Sequence, residues 1–282
     1  ELWGNGPDVL KKVRDPFAVQ ECMAGFRRTR PRTILPGESA DPSLRWLRKP
    51  IRGSAGLGVR FADSDDFPSQ AEKPNYYLQE FLEGVSMSAV FAHGRRGWPT
   101  FVGMSRQLIG TDWLHAKPFA YAGNVMVDPN VYPDPRPTAG WLTHSFSLAG
   151  VWGLDAIRTG DEWNVVEINP RYTASVELYE LATNSCTLVR WEPIPPAIRM
   201  GKAIYFAPHR IVFPASGPWD DSLARCADVW RRPDFADLPH AGDIIEAGQP
   251  VLTIFAEADD EEACEAKLKA SAAELDRLFA VG

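Results

Sequence analysis

Residues 153–171, GLDAIRTGDEWNVVEINPR, decide how this chain is read. GLDAIR and WNVVEIN have the short, apolar-rich pattern of strands, and RTGDEW between them carries the glycine and acidic residues of a hairpin turn. A three-residue loop of Gly160, Asp161 and Glu162 pairs Thr159 with Trp163 and sets Asp155 directly opposite Glu167; the period of two then brings Asn169 onto the same face. Carboxylates placed opposite each other repel unless a cation lies between them. A hard cation fits: magnesium takes oxygen ligands, is held by one or two carboxylates, and fills its shell with water and phosphate oxygens. A loop of two or four residues would turn one strand over and break the arrangement, leaving an ordinary solvated hairpin.

Working outward, Arg171 follows Asn169 by two residues across Pro170, where its fork of donors suits a carboxylate or a developing phosphate charge. Arg106, in GMSRQLIG, is a second basic candidate. Upstream, Lys49 opens KPIRGSAGLGVRF, with Gly53, Ser54, Gly56 and Gly58 in a loop between two strand-like runs. Backbone amides of such a loop can close on phosphate oxygens, and the neighbouring lysine adds a mobile charge. No G-K-[ST] ends the loop, so it is not a Walker P-loop; a Gly-rich hairpin turn is the plainer alternative. Tyr172, Trp113 and Trp141 read as packing residues.

The 282 residues, 45% apolar and 24% charged, describe a folded chain of about two domains. A formal charge of -7 argues against general phosphate-backbone binding, so no nucleic-acid partner is expected. No window is long and apolar enough for a membrane span and the N-terminus is unlike a signal peptide; a cytoplasmic protein without a membrane partner is expected. Cys22, Cys186, Cys226 and Cys264 form no C-x-x-C and are read as reduced packing residues. The chain does not begin with Met, which implies processing or a missing N-terminal piece.

Along the chain, residues 1–43 form a lead-in, with a helix from Pro16 to Arg28 and a Pro-rich connection. Short strand-like runs follow from Leu44, then helices over Pro137–Val151 and Ala174–Leu181. After WEPIPP, residues 191–282 read as a β-rich module closed by an amphipathic helix near Glu261–Phe279.

Taken in order, the lysine before a Gly-rich loop, QEFLEG at Gln79–Gly84, an aspartate on a later strand and VVEINPR at Val165–Arg171 resemble the ATP-grasp superfamily, over about Leu44–Glu180. The resemblance implies an α+β fold in which two subdomains clasp ATP, here 44–83 and 84–190, followed by the C-terminal module. It implies that Lys49 contacts phosphate, that Gly53, Ser54, Gly56 and Gly58 form the flap, and that Gln79, Glu80, Phe81, Leu82 and Glu83 form a hinge reading the adenine edge. It makes Asp155, Glu167 and Asn169 ligands of Mg2+, with Mn2+ as the alternative ion, and Arg171 a catalytic cation, beside which Arg106 stands as the second catalytic candidate. Ser86 stands where many members have an acidic ribose-binding residue, and Arg14 where the fold often has an earlier lysine.

RQLIG, EINPRYTASVE and the tail FADLPHAGDIIEAGQPVLTIFAEA are similar to a carboligase-related group near biotin carboxylase, some members of which join glutamate to tyrosine or tyramine in cofactor biosynthesis. The tail lacks the M-K-M of a biotin carrier. The activity implied is ATP- and Mg-dependent ligation of a small-molecule carboxylate to an amine, or to a thiol, through an acyl phosphate. An ATP-binding module without turnover and a biotin-carboxylase-like carboxylase are the alternatives, and a homodimer is the assembly admitted.

Overall fold

The computed structural model describes residues 3–25, 31–68, 75–94, 97–187, 196–224 and 232–280. Arg28, Cys226 and most of WEPIPP lie outside that set. The chain divides into two compact units, Glu1–Gly103 with Pro118–Ala120 and Pro129–Thr173, and Met104–Lys117 with Tyr121–Asp128 and Ala174–Gly282. Each unit is assembled from segments distant in sequence, unlike the linear subdomains of the sequence reading.

The first unit opens with helices α1 (Pro7–Val13) and α2 (Pro16–Gly25). Each begins on a proline, which loses no helical hydrogen bond in the first turn. Strands β1 (Thr33–Ile34), β2 (Trp46–Pro50), β3 (Arg60–Phe61) and β4 (Tyr76–Glu80) form an antiparallel sheet in the order β1-β4-β2-β3. Trp46, Ile34 and Leu78 make its small core. Thr33–Ile34 thus leaves the expected Pro-rich connection and pairs with Gln79 and Leu78.

A second group of strands, β5 (Val85–His93), β8 (Gly150–Thr159) and β9 (Glu162–Asn169), is also antiparallel. Helix α3 (Arg136–Phe146) stops earlier than expected, because Ser147 takes the left-handed conformation at φ 55° and Leu148 N–H closes back on Thr143 O at 3.0 Å.

In the second unit, β6 (Thr100–Ile109, from Met104 on), β7 (Tyr121–Met126), β10 (Arg199–Phe206), β14 (Pro250–Ala258) and β12 (Phe235–Ala236) lie side by side. A ribbon of β11 (Ile211–Val212) and β13 (Ile244–Ile245) and the short helix α5 (Asp220–Ala224) complete it, with α4 (Val176–Thr183) beginning two residues later than expected. The closing helix α6 (Glu261–Phe279) has the expected bounds, and Asp260 caps it by accepting from Ala263 N–H at 2.7 Å. Its buried stripe, Cys264, Leu268, Ala272, Leu275 and Phe279, packs against Ala203, Tyr205 and Ile254. Burying one leucine of that stripe contributes about 2 kcal/mol. Among the described residues no helix is long and apolar enough to cross a membrane.

Candidate active site

The β8–β9 hairpin puts Asp155 opposite Glu167, but not through the expected loop. Thr159 pairs with Glu162 and Arg158 with Trp163, so the turn holds two residues, Gly160 and Asp161. That turn alone would invert β9. The register then shifts between Asp155 and Ala156: Ala156 faces Val165, Asp155 faces Glu167, and Val166 is the extra residue of a β-bulge. The bulge cancels the inversion and returns Glu167 to the face of Asp155.

On the other side, β5 pairs Ser88 with Asp155, so Ser88, Asp155 and Glu167 form one polar row across three strands. Ser88 hydrogen-bonds the Asp155 carboxylate, and Asn169 Nδ2 donates to Asp155 Oδ2 at 2.9 Å. Burial pushes the Asp155 carboxyl up to about 7; Glu167 adds to the rise, while Ser88, Arg171 and Lys49 oppose it. The cations present therefore compensate the carboxylate pair only in part, and two carboxylate groups with an amide oxygen match the donor preference of magnesium. Among the described residues no group of three His, Cys, Asp or Glu side chains is placed to hold a metal.

Arg171 is exposed, its Nη1 donating to Tyr172 O at 3.1 Å, yet its charge reaches Asp155. The backbone before it is fastened by Asn5, whose Nδ2 donates to Pro170 O at 3.0 Å and to Ala149 O at 2.8 Å. That role of the lead-in had no local signal in the sequence. Gly153, opposite Asn169, leaves space for Thr173: a Cβ there would lie 2.8 Å from Thr173 Cγ2.

Lys49 sits on β2 opposite Tyr77, and its Nζ donates to Gln79 Oε1 at 3.0 Å. Desolvation holds the ammonium below the ordinary lysine range, while Glu167 and Asp155 pull it back up, which ties the lysine electrostatically to the carboxylate row. The loop after it runs from β2 to β3 as expected. Gly56 is required there, with φ +74° and a would-be Cβ only 1.8 Å from Phe119 O. Gly58 also has positive φ, whereas Gly53 has ordinary φ and tolerant surroundings; Ser54 O accepts from Leu57 N–H within the loop. Phe119, missed by the sequence reading, meets Phe61 and Phe81 edge-on at 5.3 and 6.4 Å, and Arg45 stacks over Phe61 and Phe81.

The QEFLEG segment is divided. Gln79 is buried within β4, between Lys49 and Thr33 Oγ1, and reaches back to the lysine instead of lying at a hinge. Glu80 N–H donates to Arg32 O and Phe81 N–H to Arg45 O, both at 2.8 Å, so these two amides are spent on the protein's own carbonyls. Glu83 pairs with Arg45 at 3.2 Å.

Arg106 lies in the second unit. It alternates with Ser105 and Gln107 and so takes the opposite face of β6, where its guanidinium binds Glu265 of α6 with Glu261 at 3.9 Å. Its charge is used to anchor the closing helix. Trp113 packs against the core of that unit, while Trp141 and Tyr172 keep 38% exposure.

The ATP-grasp domain profile matches residues 24–175. An uncharacterized protein of Methanocaldococcus jannaschii is 27% identical over 267 residues, covering 90% of this chain and 63% of that protein, so the chain spans under two thirds of that relative's length. Among solved structures, L-amino acid ligase of Bacillus licheniformis superposes with a TM-score of 0.71 at 12% identity over 96% of this chain and 73% of that one. Carboxyaminoimidazole ribonucleotide synthase of Aspergillus clavatus, complexed with ATP, gives 0.63 at 13% identity over 97% and 76%. At those identities the structural likeness is one of fold. The profile match covers more than half of the chain, which therefore belongs to the ATP-grasp domain family.

Proposed function

We propose that the protein is a Mg-ATP-dependent ligase that activates a small-molecule carboxylate and joins it to an amine. The observation that carries this reading is the Ser88–Asp155–Glu167 row, with Asn169 bonded to Asp155 and Lys49 in electrostatic reach, in a chain of the ATP-grasp family. Asp155, Glu167 and the Asn169 amide oxygen would hold the magnesium, which supplies positive charge against the phosphate oxygens when bound. Lys49, steadied by Gln79, holds phosphate, and the amides around Gly56 and Gly58 close over it. Arg171 orients the carboxylate.

In the reaction proposed, a carboxylate oxygen attacks the terminal phosphorus of ATP and ADP leaves. The amine nitrogen then attacks the acyl carbon, expels phosphate and gives its proton to solvent. Phosphoryl transfer spreads charge over equatorial oxygens, so preorganised cations do most of the work.

The test is a thermal-shift titration with Mg-AMPPNP, followed by ADP release in the presence of amino acids. A ligand that binds the native state raises the melting temperature by mass action. Wild type is expected to show a magnesium-dependent shift, and Lys49→Ala is expected to abolish ADP release while remaining folded. Unchanged ADP release in Lys49→Ala would sink the site assignment. A shift without ADP release from wild type under any amino acid would favour a binding module without turnover.

A further inference from the structure

Gln20, on α2, stands ahead of the residues matched by the family profile, yet a run of hydrogen bonds within the first unit joins it to Lys49. Thr33 N–H donates to Gln20 Oε1 at 2.6 Å, and Gln20 Nε2 donates back to Thr33 O at 3.2 Å. Gln79 Nε2 donates to Thr33 Oγ1 at 3.3 Å, and Gln79 Oε1 accepts from the Lys49 ammonium at 3.0 Å. The register agrees with this path. Thr33 pairs with Gln79 across β1 and β4, and Leu47 pairs with Gln79 across β2 and β4, so Thr33, Gln79 and Lys49 share one face of that sheet.

The chemistry of each link fixes its sense. An ammonium only donates, so Gln79 must present its oxygen to Lys49, and its amide nitrogen then falls on Thr33 Oγ1. Gln20 clasps both backbone polar groups of Thr33, so α2 sets where β1 meets Gln79. The helix is itself held, with Val19 and Met23 buried. Thr33 and Gln79 are buried as well, and the Lys49 ammonium is desolvated, so a lost acceptor here would not be replaced freely by water. A cavity of about 10 Å³, room for one water, is lined by Gln20, Thr33, Gln79, Val165 and Val166 among others. The bulge that turns Glu167 therefore abuts the hydrogen bonds that aim Lys49.

From this geometry we infer that Gln20 is a positioning residue for Lys49, acting through Thr33 and Gln79. The lead-in helix thus sets where the phosphate-holding ammonium stands. The task given to Lys49 rests on the ligase reading, whereas the relay that aims it does not.

The experiment compares full-length wild type with Gln20→Met, which keeps the shape of the side chain and removes both bonds to Thr33. Thr33→Val, which removes only the hydroxyl, cuts the relay one link later and carries the test if Gln20→Met does not fold by circular dichroism. The nucleotide-free proteins are first labelled briefly with acetic anhydride, and mass spectrometry reads modification of Lys49 against the exposed Lys12. Both variants are expected to raise Lys49 labelling several-fold. Mg-AMPPNP affinity is then measured in the wild-type and Lys49→Ala backgrounds. Gln20→Met is expected to raise Kd roughly 10-fold in the first and to change nothing in the second, where the lysine it positions is gone. Unchanged Lys49 labelling in the folded variants overturns the inference. So does a loss of affinity on Gln20→Met that persists undiminished in Lys49→Ala, since the relay would then be a structural clamp. A wild type that binds no Mg-AMPPNP strikes the ligase reading instead, and the labelling still decides the relay.

Discussion

Two polar rows cross three antiparallel strands in this protein, and they balance their charge differently. In Ser88–Asp155–Glu167 two carboxylates face each other, and Lys49 and Arg171 compensate them only in part. In Gln107–Asn124–Lys202 the one charged member meets a single carboxylate, Glu177, and the Asn124 amide is satisfied by Ser105 and Tyr121. The first row is short of positive charge and suits an added cation. The second is already neutral, its one ammonium balanced by Glu177. The difference shows that burial of polar groups on a sheet does not by itself specify a function; the residual charge of the row does.

The sharpest way to break this comparison is to neutralise one glutamate in each row. Glu167→Gln is expected to lower apparent magnesium affinity in the nucleotide complex on the order of 100-fold or more, whereas Glu177→Gln leaves it unchanged. Magnesium titrations of the AMPPNP thermal shift measure both. Equal losses would mean that the two carboxylates serve one ion and that the rows are not distinct.

The next contrast lies in the glycines that make room for each row. Gly123→Ala drives a Cβ into Lys202 O at 2.1 Å with φ at +142°, against backbone that cannot turn aside. A loss of roughly 2–3 kcal/mol is expected. Gly153→Ala meets Thr173 Cγ2 at 2.8 Å, a side chain that can rotate, and about 1 kcal/mol is expected. Urea melts of the two variants check the ranking, and a costlier Gly153→Ala would show that the first row is the tighter assembly.

The last expected effect is a dependence on pH. The Asp155 carboxyl is raised from 3.8 to about 7 in the folded protein, so the folded state holds its proton more tightly than the unfolded chain. Below about pH 4 both states are protonated and the group contributes nothing. As pH rises toward 7 the unfolded chain ionises first, and metal-free stability falls over that window. Magnesium should remove most of the decline when nucleotide is present, because it replaces the proton. Melting temperatures between pH 4 and 8, with and without Mg-AMPPNP, measure it; a metal-free stability that rises across that range reverses the sign assigned to the carboxylate pair.

Much of the site was legible locally. EINPR, the lysine before the glycine loop and the two strand runs each carry their pattern within a few residues, and α6 announces itself through its amphipathic stripe. The hairpin was read correctly in outcome and wrongly in route, because a two-residue turn and a bulge at Val166 compensate each other, and neither composition nor periodicity signals a bulge. Arg106 shows the opposite failure. Its residue type was right for an anion site, but alternation along β6 turns it toward α6.

What the sequence determined by itself is what short-range physics fixes: strand and helix periods, the glycines needed at positive φ, and the order of motifs that marks the family. Tertiary structure alone decided which residues stand opposite one another. It set Ser88 beside Asp155, Gln79 against Lys49, Asn5 on the backbone of Pro170 and Lys202 in a row with Asn124. These pairings join positions far apart in the chain, and their energies depend on distance and burial, neither of which exists until the sheets have formed.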